Sequence, residues 1–179
     1  MNIDRLLAGL PARTKAERST MRATAESWTE SGTPEQRDAG QRFMAALDAL
    51  EVTEVDAQST RVNGMSLADR VVAAFSANRM TPTDEKVIRV LLDNPGTTSA
   101  GLSIAMGWKA QAWHLHFGTM CFDRAAYLWA GPVPAKGSKA FMSGVLADLE
   151  TPANCFTMKP EAVAGFAELG IRQQTGSDA

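Results

Sequence analysis

Two histidines, His114 and His116, and two cysteines, Cys121 and Cys155, are the side chains best suited to metal binding or nucleophilic chemistry. Their spacing argues against both. Two residues apart on a helix, the histidines project toward nearly opposite sides and cannot clasp one ion as an i, i+4 pair does. His116 and Cys121 are awkwardly spaced for a nucleophile pair, which needs a basic nitrogen oriented on the thiol. Each cysteine sits beside apolar residues and reads as a buried free thiol of a reducing compartment, not as a disulfide partner or half of a zinc site. Gly96, Gly101, Gly107 and Gly118 match neither phosphate-loop nor dinucleotide-loop spacing. No metal and no cofactor is expected, a nucleotide enzyme has no support, and a thiol enzyme is the weakest of the remaining classes.

A second group of residues suits recognition. Residues 97–121, TTSAGLSIAMGWKAQAWHLHFGTMC, read as two short helices joined at Gly107. Only glycine takes a left-handed backbone without steric cost, so the chain can turn there within three or four residues, as a helix-turn-helix does. Thr98 stands where an N-cap is wanted, and Leu102, Ala105 and Met106 form one apolar stripe. In the second helix, starting near Trp108, the residues Trp113, Phe117, Met120 and Cys121 form the buried stripe. Gln111, His114, Leu115 and Gly118 are left on a largely polar face. No Ser, Thr, Asp or Asn caps that helix, and Lys109 and Gln111 occupy its first turn, so its amides are expected to be open as a phosphate seat. Gln111 and His114 would then reach base edges or phosphates in the major groove. An ordinary uncapped helix end with an exposed lysine explains the same residues equally well. Trp113 is assigned to packing and Trp108 is left open between packing and base stacking. Gly118 is read as a place where another helix, or a nucleic-acid backbone, comes close.

The elements that must position this stretch follow from periodicity and caps. Residues 2–10 carry Ile3, Leu6, Leu7 and Leu10 and end at Pro11. Residues 12–30 form a helix edged by Met21, Ala25 and Trp28, with Lys15, Arg18 and Arg22 sharing another face, read either as a phosphate-tracking stripe or as a solvated face offset by Glu17 and Glu26. Thr33, Pro34, Glu35 and Gln36 start a helix expected to reach Leu50 with Ala39, Phe43, Leu47 and Leu50 inward. Residues 52–64 lack a sustained period and read as a linker and domain boundary. Ser66 and Thr81 start two further helices, the first burying Leu67, Val71, Ala74 and Phe75, the second Val87, Ile88, Leu91 and Leu92. The helix after Gly107 is expected to continue toward Trp129. Residues 144–149 and 155–159 alternate as two strands around a tip at 150–154, and a last short helix spans 160–169 before Gly170 and Ile171.

The fold class expected is therefore mainly α: a helical region over residues 1–60, a winged-helix-like domain with a small β-hairpin over 65–172, and a disordered tail over 173–179. The chain has 179 residues, is 45% hydrophobic and 21% charged, and carries a net charge of −2. No apolar run has the length of a membrane span, and residues 1–10 lack the apolar core of a signal peptide, so a cytoplasmic protein is expected. The charge argues against binding nucleic acid over the whole surface. Locally, Lys109, Arg124, Lys136 and Lys139 face Asp123 alone within residues 101–140, a small excess suited to phosphate.

Ala105, Met106, Gly107, Trp108 and Lys109, followed by Leu115, His116, Phe117 and Gly118, resemble the small winged-helix-like module of uncharacterised bacterial proteins that is also appended to some HNH endonucleases and restriction-type proteins. The resemblance spans residues 80–171. The chain departs from it at Thr119, where the modules carry lysine, and both histidines lie inside the module, leaving no HNH constellation. What the resemblance implies is a DNA-associated reader with no nuclease of its own. The function expected is thus a non-enzymatic DNA-binding protein, a regulator or restriction or defence accessory, meeting duplex DNA through Lys109, Gln111, His114, Leu115, Gly118, Thr119, Lys136 and Lys139, with a homodimer allowed. The rival expectation is a protein-interaction module that docks the same helix pair on a protein partner.

Overall fold

The computed structural model describes residues 3–131, 133–135 and 140–174. The chain is mainly helical and divides into two compact units, Met1–Ala57 and Gln58–Ala179.

In the first unit, α1 (Ile3–Ala8) leads through a 3-10 turn at Leu10–Ala12 into α2 (Lys15–Ser31). That helix starts later than the composition suggests because Thr14 and Glu17 close a reciprocal capping box: the Glu17 amide donates to the Thr14 hydroxyl and the Thr14 amide to the Glu17 carboxylate. α3 (Pro34–Asn63) begins on a second such pair, Thr33 and Gln36. Leu10, Ala25, Phe43 and Leu47 form the small core of this unit. Gly40 lets the two long helices approach closely, since a Cβ there would lie 2.8 Å from the Ala25 carbonyl oxygen. Arg18 pairs with Glu54 at 2.8 Å and Arg22 with Asp48 at 2.8 Å. These two cations are thus matched by acids of α3 and do not form a free phosphate-tracking stripe.

The linker expected over residues 52–64 is helix, since α3 runs to Asn63, and the division into units falls inside it. The physical reason is that residues 51–63 contain no glycine or proline, the first breaker being Gly64. Val52 and Val55 are exposed and Val62 is the one buried residue of the stretch, so it shows no apolar period, and without a breaker the helix begun at Pro34 continues through it.

The second unit contains α4 (Leu67–Ala77), α5 (Pro82–Asp93), β1 (Thr97–Thr98), α6 (Ser99–Ala105), α7 (Ala112–Phe122), α8 (Ala125–Leu128), β2 (Ala147–Glu150), β3 (Cys155–Met158) and α9 (Pro160–Glu168). Ser66 and Thr81 cap α4 and α5 as expected. The three strands form an antiparallel sheet in the order β1-β3-β2, with Thr97 opposite Phe156 and Ala147 opposite Met158. The hairpin is present, but residues 142–145 form a 3-10 turn and the first strand starts only at Ala147. β1 was not anticipated, because two residues are too few to show alternation. The helix expected to continue toward Trp129 breaks at Arg124, whose backbone (φ −115°, ψ 10°) is not helical. α9 packs on α4 through Gly165, where a Cβ would lie 2.7 Å from the Ala68 carbonyl oxygen, and through an edge-to-face pair of Phe75 and Phe166. Gly170 is left-handed and Ile171 tucks back, its amide donating to the Phe166 carbonyl at 2.9 Å. Of the expected tail, Gln174 donates its amide to Asp93, and residues 175–179 lie outside those described.

Candidate functional site

α6 starts on Thr98, whose hydroxyl accepts the Gly101 amide at 3.1 Å. It ends at Ala105, and Gly107 is left-handed at φ +71°. The reversal that follows is longer than a three- or four-residue turn. Ala110 is also left-handed, at φ 52°, and α7 begins at Ala112 and not near Trp108. Trp108 is half-buried, bonded by its amide to the Ser103 carbonyl at 2.8 Å, with its ring 5.7 Å from that of His116.

The amino end of α7 is not the open phosphate seat expected of it. The Ala112 amide donates to the Lys109 carbonyl at 3.3 Å and the buried Trp113 amide to the Ser103 hydroxyl at 3.1 Å. Ser103 in turn donates to the Ser99 carbonyl at 2.9 Å. The cap comes from a neighbouring helix, so an inspection of the residues just before α7 finds none. The sequence signal was a serine on the inward face of α6, easily taken for a surface residue.

Along α7 the buried stripe is Trp113, Phe117, Met120 and Cys121, as expected, and the Trp113 indole donates to the Val87 carbonyl at 3.0 Å. Gln111, Leu115 and Thr119 share the exposed edge, and Lys109 is exposed just before it. Leu115 is 74% exposed, as is Ile104 on α6. The Thr119 hydroxyl donates to the Leu115 carbonyl at 2.9 Å.

Two residues of the expected reading face are elsewhere. His114 lies half-buried among aromatic rings, 5.0 Å from Phe156 and 5.8 Å from Phe141 between ring centroids, and burial lowers its pKa toward the neutral form. Gly118 faces the 142–145 turn, with Ser143 Oγ at 3.5 Å from the position of an added Cβ. Both are covered because that turn and Phe141 fold back over α7, a long-range contact that helical spacing cannot show. Lys136 and Lys139 lie outside the described residues. Arg124, counted above in the local cationic excess, is 3% exposed and unavailable to phosphate.

Arg124 belongs to a buried polar cluster that spacing did not reveal. Its Nη2 donates to Asp84 Oδ2 at 3.1 Å, and other guanidinium nitrogens donate to the carbonyls of Asn78 and Met120. The guanidinium also lies over the Phe75 ring at 4.4 Å. Asp84, 6% exposed, accepts the Thr81 amide at 3.1 Å and faces His116 Nε2 at 2.9 Å. Burial alone would raise the Asp84 pKa, but the Thr81 amide, His116 and Arg124 outweigh it and hold the carboxyl below its usual range. The one available clue was an acid at the third position of a capped helix, a role Asp84 also fills.

The arrangement can fix helices relative to one another, and it can present a narrow edge. Cys121 is fully enclosed and its thiol pKa is pushed far up by burial, so it is a packing residue. Cys155 is half-buried and unpaired. Among the described residues no group of three or more His, Cys, Asp or Glu is placed to hold a metal ion, and no helix is long and apolar enough to cross a membrane. Compared with family models, with curated proteins and with solved structures, the chain finds no match in any of the three.

Proposed function

We propose that the second unit is a winged-helix-like reader of duplex DNA, with α7 as the helix that enters the major groove and the β2-β3 hairpin as its wing. The observation that carries this reading is the order α5, β1, α6, turn, α7, hairpin, closed by the β1-β3-β2 sheet, with Gln111, Leu115 and Thr119 on the solvent edge of α7. The chemistry of that edge fits base readout: glutamine pairs bidentately with adenine, an apolar side chain meets a thymine methyl, and Lys109 is placed for a phosphate. On this reading its role is that of a regulator or accessory. The test is selection of duplexes from a random pool, followed by titration at several salt concentrations. A selected duplex should bind with an affinity that falls as salt rises, and Lys109→Ala should weaken binding to all sequences while lowering the salt slope by about one. Absence of any selected or salt-sensitive binding overturns the proposal.

A second reading is favoured by one observation: Ile104 and Leu115, on the two helices of the pair, are both 74% exposed. Large apolar side chains left in water on a rigid helix pair suit docking on another protein. A stoichiometric complex that forms without nucleic acid and is lost on Leu115→Asp would favour it.

A further inference from the structure

The second unit also holds a cleft of about 440 Å³, within the range of about 300–1,000 Å³ usual for small-molecule sites. Leu67, Trp129, Phe141 and Val145 supply apolar walls, and Arg70 and Lys159 bring two cations to it. The polarity of this lining is one-sided. Arg70 donates from Nη1 to the Leu128 carbonyl at 2.8 Å, its Nε is buried without a protein partner, and no carboxylate of the described residues pairs with it. Lys159 Nζ donates to the Gly144 carbonyl at 2.6 Å, and the nearest carboxylate oxygen, on the exposed Asp148, is 3.8 Å away. Two cationic side chains in the lining with no carboxylate within close ion-pairing distance suit an anion, and a carboxylate or phosphate is the group best matched to a guanidinium. The Phe141 ring packs against His114 and Phe156, 5.8 and 6.2 Å between centroids, and lies so close over Gly144 that a Cβ there would be 2.6 Å from it.

We infer that this cleft binds a small organic anion carrying a flat aromatic ring, the acidic group meeting Arg70 and Lys159 and the ring lying against Trp129 and Phe141. The inference does not depend on the DNA-reading proposal, because the cleft residues and the edge residues of α7 are different sets.

The test uses the full chain and 1-naphthoate as the probe, with 1-naphthylmethanol as its neutral analogue and acetate as an anion without a ring. Titrations are followed by calorimetry and by the Trp129 indole resonance, assigned with Trp129→Phe. One saturable site should appear for naphthoate, with the resonance shifting in step. Both controls should bind at least tenfold more weakly. Arg70→Gln, which keeps a donor for the Leu128 carbonyl, and Gly144→Ala, which displaces the Phe141 ring, should each weaken naphthoate at least tenfold, while Lys109→Ala leaves it unchanged. Should Arg70→Gln fail to fold, Lys159→Gln takes its place with the same expectation. No saturation at millimolar naphthoate by the folded protein overturns the inference, as does equal binding of the neutral analogue or indifference to these cleft variants.

Discussion

Ser103 Oγ accepts the Trp113 amide at 3.1 Å, so the first turn of α7 is capped by a side chain of α6 across the Gly107 reversal. The bond is buried and fixes the angle between the two helices whatever the exposed edge contacts. Ser103→Ala leaves a buried N–H without an acceptor, at a cost of about 1–3 kcal/mol. The urea midpoint should fall with an unchanged slope. A midpoint within error of wild type would mean that the amide finds another acceptor and that the hydroxyl does not set the geometry.

The Asp84 cluster makes stability depend on acid in a predictable direction. Its carboxyl is held below the ordinary aspartate value of 3.8, so in this acid range the unfolded chain binds more protons than the folded one. The stabilisation is present above the unfolded value and is lost as pH falls through the lower folded one. Urea midpoints from pH 7 down to pH 2 should therefore decline below about pH 4. Asp84→Asn should flatten that decline. At neutral pH the same variant leaves Arg124 buried without its carboxylate, and a loss of about 3–5 kcal/mol is expected, the usual cost of removing one partner of a buried pair. An unchanged acid limb in the variant would assign the pH dependence to other carboxylates.

Gly107 and Ala110 share a left-handed backbone, one with a residue suited to it and one without. An added methyl at Gly107 would meet no atom within 4 Å, so the effect of Gly107→Ala isolates the backbone cost, about 1–2 kcal/mol of destabilisation. Ala110→Gly should move the other way and stabilise by up to about 1 kcal/mol. Thermal melts of the two variants check the signs, and a destabilised Ala110→Gly would show that its methyl packs in the folded state.

What was legible in the chain was what neighbours in sequence decide. Thr33, Ser66, Thr81 and Thr98 start helices because each hydroxyl reaches an amide three residues on. Trp113, Phe117, Met120 and Cys121 lie inside because helical spacing puts them on one face. Contacts between distant segments were not legible. Ser103 caps a helix that starts nine residues further on, Thr97 pairs with Phe156 across about half of the unit, and Arg124 reaches Asp84 from the break between α7 and α8. The same blindness misplaced His114 and Gly118, since nothing local says that residues 141–145 fold over α7. The end of α3 is hidden for another reason: an exposed helix needs no apolar period, and by period alone it looks the same as a polar linker.

Leu115 separates the two readings of the α7 edge. It is 74% exposed and its side chain bears no core load, so polar replacements should change the melting temperature little. On the DNA reading, Leu115→Lys adds a cation to the groove-facing edge. Affinity for unselected duplex should rise and the salt slope steepen by about one, while preference for the selected sequence drops as a contact to a base methyl is lost. On the docking reading the same charge is buried without a partner at the interface, and binding of the protein partner should weaken by tenfold or more. Anisotropy titrations of the selected and unselected duplexes, read beside the partner complex, make the two outcomes opposite in sign for a single substitution. A variant that alters neither would move the recognition surface away from α7 altogether.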